Sequence, residues 1–501
     1  MPLRRFAFPF TLVTLLALAG CAAGSTGITT PVTPVPTGDT TPPPIPREMR
    51  GVWIATVANI DWPTRTGLTA MQQQAELIDL FDRANAAGLN AVMFHVRPAA
   101  DAVYQSALEP WAAMLTGVQG QDPGFDPLAF AVREAHARGL ELHAWINPFR
   151  AGNAKDTALL ASSHLFRTRR ALLRVYGSQL WLDPGEPAIH DHSINVVRDI
   201  VERYDVDGVH ADDYFYPYQE NDAAGRLIDF PDSGSYARSG STLSRADWRR
   251  NNVDRFVERL YSEVHRVNPA LKVGLSPFGI WRPGFPTGVN GLDAFASIYA
   301  DSRKWLQQGW VDYLAPQLYW SIAAPQQSYP ALFDWWLLQN PTGRHVWPGL
   351  AAYRVADGTA SAFSTSEIPS QVTMTRARSG GTGHILYNAN STLKKSSGAV
   401  AASLSTLYAS RALVPAYPWL DAVAPSAPTV TVSGRTMQML PGPGEAPRWW
   451  VVRTRASATW STKVVFGDLR TLALSQDIDR AVLTAVDQAG NVSSGAVWKA
   501  P

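Results

Sequence analysis

Between Arg47 and about Trp419, short apolar runs alternate with longer amphipathic ones, a rhythm that few folds accommodate. The apolar runs are GVWIATV (51–57), NAVMFHV (90–96), ELHAWIN (141–147), DGVHADD (207–213), KVGLSPF (272–278), VDYLAPQLY (311–319), HVWPGLAAY (345–353) and GHILYNA (383–389). Helical patterns at 72–88, 127–139, 247–267 and 300–309 lie between them, with Gly88, Gly139 and Gly309 where helix C-caps belong. Such alternation implies βα units and a parallel sheet. Eight strands, each followed by a helix, is the count of a closed (β/α)8 TIM-type barrel, in the α/β class. A doubly wound open sheet would place G-x-G-x-x-G after one of these strands, and none has it. With 501 residues, 46% of them hydrophobic, the chain can build this large domain, here bounded at 47–415, plus a smaller one.

The chain's two ends differ from this middle. Residues 1–21 carry Arg4 and Arg5, then an apolar run too short for a comfortable membrane span, then small residues, which is the form of a secretory signal. Leu18 to Cys21, LAGC, resembles the bacterial lipobox, in which the cysteine is lipidated and becomes the mature N-terminus. Cys21 is the only cysteine, so it is expected to anchor the protein to a membrane, and no disulfide can form within the chain. Residues 22–46 are rich in Pro and Thr and read as an extended tether. The expected location is the cell envelope, and Ala22 is compatible with outer-membrane sorting in a cell with two membranes. From 425 to 501 the runs WWVVRT, KVVFG and RAVLTAVD, broken by Gly, Pro and Asn, predict a small β-sandwich, and TAVDQAGNVSSG (484–495) resembles the last hairpin of a fibronectin type III module. Lys and Arg (44) nearly balance Asp and Glu (42) without a basic block, which argues against nucleic acid as a partner.

A barrel of this kind builds its active site where the strands end, and here those ends are polar. The second strand ends with His95, Arg97 and Asp101, and the third with His143, Asn147 and Arg150. His210, Asp212, Asp213 and Tyr214 follow from the fourth, Gln317, Tyr319 and Trp320 from the sixth, and Tyr353 from the seventh. Period-two alternation puts His210, Asp212 and Tyr214 on one face and Asp213 on the other. Asp212 is therefore the first candidate for chemistry, with Asp213 orienting it or contacting a neighbouring loop. Two carboxylates this close cannot both ionise cheaply, so one keeps a proton at a raised pKa, a division suited to glycosidic acid/base work. A purely structural use would pair one of them with Arg97 or Arg150 or have it cap a loop. Arg97, His143, Asn147, His210, Tyr214, Gln317, Tyr319, Trp320 and Tyr353 are the candidate substrate contacts. No histidine spacing indicates a metal, and no cofactor is expected.

REMRGVWIATVANIDWP (47–63), NAVMFHVRPAADAVYQSALEPW (90–111), DPLAFAVREAHARGLELHAWINPFR (126–150), DGVHADDYFYPY (207–218), SPFGIWR (276–282) and VDYLAPQLYWSI (311–322) together resemble the bacterial glycosyl-hydrolase-like family 10 lipoproteins. The resemblance spans roughly 47–415 and implies a TIM-type barrel in an envelope protein, one branch being similar to enzymes that cut peptidoglycan strands stripped of their stem peptides. Against the chitinase-type pattern D-G-x-D-x-D-x-E laid from Asp207, His210 replaces the first inner Asp, Asp212 matches the second, and Tyr214 stands at the acid Glu. The acid role then falls to Asp213 or to a loop carboxylate such as Asp101, Glu109 or Asp183. By analogy with N-acetylhexosaminidases that have adjacent acidic pairs, an N-acetylated substrate could assist with its own acetamide. The reading is an envelope glycoside hydrolase acting on a β-linked, N-acetylated polysaccharide, most of all denuded peptidoglycan. Its alternatives are a catalytically inactive glycan-binding barrel and an alpha-glucan hydrolase, the latter wanting a Glu after strand five where GLSPFGIWR has none.

Overall fold

A computed structural model describes residues 41–501. The signal, the lipobox with Cys21 and the tether up to residue 40 lie outside the described residues.

The parallel strands are β1 (Met49–Ile54), β2 (Ala91–Arg97), β3 (Glu141–Ile146), β4 (Gly208–Ala211), β5 (Lys272–Leu275), β6 (Tyr313–Leu314), β7 and β8 (Gly383–Leu386). β7 is one strand in two halves: His345–Val346 pairs with β6 and Gly349–Leu350 pairs with β8. Pro348 separates the halves, because without an N–H it cannot continue the ladder. The backbone spans the break nonetheless, Trp347 N donating to Leu314 O (2.9 Å) and Ile385 N to Pro348 O (3.1 Å). Since β8 also pairs with β1, the sheet closes on itself as an eight-stranded barrel.

The helices form where the sequence offers caps. Ala70–Ala86 starts at a capping box made by Thr69 and Gln72, and Pro127–His136 starts at Asp126, whose carboxylate accepts from the N–H groups of Leu128 and Ala129. Arg245–Val267 and Ser302–Gln308 match the other two expected helices. Pro187–Arg203, Tyr329–Leu338 and Glu367–Arg376 complete the ring. Gly139 ends its helix at φ +70, where a Cβ would also lie 2.6 Å from Val464 O of the C-terminal domain. An antiparallel insert, Arg150–Asn153, Leu173–Tyr176 and Gln179–Leu182, follows β3.

One apolar layer lies between strands and helices, and a second fills the barrel with Met49, Trp53, Met93, Trp145, Tyr313, Trp347 and Ile385. Beyond the barrel, Thr429–Ser433, Thr436–Leu440 and Thr471–Ala473 form one sheet. The facing sheet runs in the order Thr459–Phe466, Trp449–Ala456, Arg480–Val486, Ala496–Lys499. The two share a core of Val430, Met437, Met439, Trp450, Val452 and Leu483, which makes the β-sandwich. Leu413, Trp449, Val451 and Val486 join it to the foot of the barrel. There Arg448 donates to Asp207 (2.8 Å) and Asp205 (2.8 Å).

Candidate active site

β4 ends at Ala211, earlier than the run 207–213 suggested, so the two aspartates stand in the turn beyond it, where Phe215 N donates to Asp213 O (3.0 Å). Past the last ladder residue the alternation of faces no longer applies. Both side chains therefore reach one pocket, a cavity of about 240 Å³ at the C-terminal mouth of the barrel, instead of pointing to opposite faces. Its walls are Trp53, Trp145, Tyr214, Tyr218, Ser276, Gln317, Tyr319 and Tyr387.

Asp212 accepts from Asn147 Nδ2 (2.6 Å) and Trp145 Nε1 (3.1 Å) on one oxygen and from Tyr214 N (3.2 Å) on the other. Asp213 accepts from the Tyr218 hydroxyl, and Gln317 supports it from the side. All these donors are neutral. Neither aspartate forms an ion pair with Arg97, which is bound to Glu109, or with Arg150, which lies over the ring of Tyr214. Burial raises both carboxyls, only 4% and 3% exposed. Asp212 rises to about 7, from burial and then the charge of Asp213, and Asp213 rises to about 6 through burial. The pair can therefore hold one proton near neutral pH.

Asn147 is itself held. His95 Nε2 lies 2.7 Å from Asn147 Oδ1, which turns the amide nitrogen toward Asp212, and the His95 ring stacks on Trp145 at 3.9 Å. Burial drives His95 down to about 3, so it remains a neutral donor.

Residues 48–364 match the family described as glycosyl hydrolase-like 10. The chain is 42% identical over 398 residues to glycosyl hydrolase YngK of Bacillus subtilis, covering 77% of this chain and 76% of that protein. It is 36% identical over 372 residues to glycosyl hydrolase DigH of Escherichia coli, covering 69% and 83%. The chain belongs to the glycosyl hydrolase-like 10 family. Among solved structures, the glycoside hydrolase domain of PgaB from Bordetella bronchiseptica is 15% identical with a TM-score of 0.49, covering 72% of this chain and 98% of that one. An endo-beta-1,4-mannanase from Thermotoga petrophila is 10% identical with a TM-score of 0.42, covering 91% and 98%.

In this glycoside hydrolase, Tyr214, Gln317 and Tyr319 line the pocket and Asn147 supports it. Other expected contacts stand elsewhere. Arg97 is buried against Glu109 and the carbonyls of Asn147 (2.6 Å) and Pro148 (3.0 Å), so it shapes the loop carrying Asn147 and does not face the cavity. His143 and His210 point into the barrel axis below the mouth, because both lie inside their ladders and not beyond them. His210 accepts from Trp53 Nε1 (3.0 Å), meets Ser276 Oγ (3.0 Å), and faces the Tyr313 hydroxyl (3.1 Å), which also contacts His143 (2.9 Å). The two histidines thus brace the pocket floor from beneath. Trp320 packs on Phe278, and Tyr353 touches the outer edges of Tyr319 and Tyr387.

The loop carboxylates are also committed elsewhere. Glu109 is held by Arg97 and His192, Asp183 by Arg174 and Ser235, and Asp101 by Gln119. None of the three borders the pocket, so Asp212 and Asp213 are the carboxylates on its wall. Trp53, Trp145, Tyr218, Ser276 and Tyr387 were not among the expected contacts. Trp145 had a signal: the period-two rule that aligns His143 with Asn147 includes the residue between them on the same face. Among the described residues, one acidic group converges closely enough for a cation, Asp421, Glu445 and Asp487. It belongs to the sandwich end, where Asp487 accepts from Asn491, and not to the pocket.

Proposed function

We propose that this glycoside hydrolase cleaves a β-linked, N-acetylated glycan, namely peptidoglycan strands freed of stem peptides, and that Asp212 and Asp213 carry the chemistry. The observation that carries this reading is the pair itself: adjacent buried carboxylates, raised and without a cation, in a pocket walled by aromatic rings. Asp212, with the higher proton affinity, protonates the leaving glycosidic oxygen. Asp213 remains charged and accepts the N–H of the substrate's 2-acetamido group, whose carbonyl oxygen attacks the anomeric carbon. Water then opens the ring so formed, with Asp212 taking back a proton. Trp53, Trp145 and Tyr387 supply apolar faces for the sugar and its acetyl methyl.

Cys21 is the proposed site of a lipid anchor that holds the protein in the envelope. The sandwich of three- and four-stranded sheets reads as a fibronectin type III-like module, which suits a spacer or docking domain. The decisive experiment incubates the protein without its signal with amidase-treated glycan strands and identifies new reducing ends by mass spectrometry. Release of muropeptide-free oligosaccharides supports the reading; intact strands after prolonged incubation reject it. Loss of labelled palmitate incorporation in Cys21→Ser tests the anchor.

A further inference from the structure

Arg150 opens the insert that follows β3, three positions beyond the amide that holds Asp212. Its guanidinium lies 5.3 Å from the ring centroid of Tyr214, a pocket wall residue that directly follows the aspartate pair. Neighbouring arginines are spent. Arg97 is bound to Glu109, Arg174 to Asp183 and Glu186, and Arg354 to the carbonyls of Tyr319 and Ser361. Arg150 has no ion pair and no side-chain hydrogen bond among the described residues, and its half-buried stem is packed against Tyr214. A guanidinium gains most from a planar anion that can accept two N–H bonds at once, and it keeps its charge at every relevant pH. The pocket's own carboxylates stay with their neutral donors, so the anion must come from outside.

We propose that Arg150 is a specificity residue that recognises a carboxylate carried by the bound sugar. This rests on the glycan proposed above and deepens it. In a muramic acid residue the 3-O-lactyl group neighbours the 2-acetamido group that the aspartate pair would address. While a stem peptide is attached, the lactyl carbonyl is a neutral amide. Once the peptide is removed it is a carboxylate, and only then does it complement Arg150. Selection of peptide-free strands would thus be a matter of charge as well as of room.

The test compares amidase-treated strands with free lactyl carboxylates against the same strands methyl-esterified. For the wild-type protein, kcat/KM on the free acid should exceed that on the ester at least about tenfold, a modest return for a charge-assisted hydrogen bond. In Arg150→Gln that ratio should fall to about one, with Arg150→Lys between them, because a point charge attracts a carboxylate without the bidentate fork. An equal loss on both strands, or an unchanged ratio, overturns the proposal. If the wild-type protein cleaves neither strand, the proposed activity has failed, and binding decides the inference separately. Calorimetric titration of Asp212→Asn with both strands should show preference for the free acid, abolished in Asp212→Asn/Arg150→Gln. Equal affinity of Asp212→Asn for acid and ester would overturn it.

Discussion

At the foot of β4, Asp207 is buried between Arg448 and His136, while at its mouth Asp212 and Asp213 are as deeply buried with only neutral donors around them. Burial alone would raise all three carboxyls. At the foot the charges of Arg448 and His136 outweigh it and hold Asp207 well below the ordinary carboxylate range. At the mouth nothing outweighs it, and the charge of Asp213 adds to the rise of Asp212. The two ends of one strand thus set the same residue type in two environments, and the presence or absence of a counter-charge decides whether the carboxyl is held charged or kept protonated near neutral pH.

The comparison is broken most forcefully by Asp212→Asn. Turnover should drop about 10²- to 10⁴-fold in a reducing-end assay, the range for loss of a general acid, with no loss in the thermal midpoint. At the other end, Arg448→Met strands a buried negative charge and should lower unfolding free energy by about 3–5 kcal/mol in urea titration, while the pH–rate profile keeps its shape.

Stability should respond to pH with opposite sign at the two ends. Asp207, depressed in the folded state, contributes stability above the unfolded carboxylate pKa and loses it as the solution is acidified below that point. Asp212, raised to about 7, binds more protons folded than unfolded, so its contribution declines as pH rises from about 4 toward 7. Asp212→Asn should remove that decline, a difference of about 3–4 kcal/mol between unfolding curves at the two ends of the window, at about 1.4 kcal/mol per pKa unit. The smallest change is expected from Tyr218→Phe. Without the hydroxyl that lowers it, Asp213 should titrate higher, moving its limb of the kcat profile by up to about one pH unit, with a few-fold cost in rate.

Much of this was legible along the chain, for physical reasons that also mark where legibility stopped. The apolar runs located all eight strands, because a barrel strand between core and helices must be apolar whatever its neighbours do. Their ends were less visible: 207–213 and 311–319 shrink to Gly208–Ala211 and Tyr313–Leu314, since the backbone leaves the ladder where side chains still look strand-like. That one difference in length brings Asp213 into the pocket with Asp212. Depth within a strand was invisible too. His143 and His210 carry the right chemistry at the wrong height, and only the register of neighbouring strands shows it. Arg97 and Arg150 look alike in the sequence as strand-end cations, and their partners separate them, since Glu109 pairs with the first and no charged group among the described residues pairs with the second.

The contact between Arg448 and Asp207 joins residues 241 positions apart. During synthesis the aspartate emerges long before the arginine that neutralises it exists. A nascent barrel therefore lacks the strongest counter-charge of the acid at its base, with His136 beside it in the meantime, until nearly the whole polypeptide has been made. Such an arrangement ties completion of the barrel's base to synthesis of the domain that follows it, and so favours late completion of the native state.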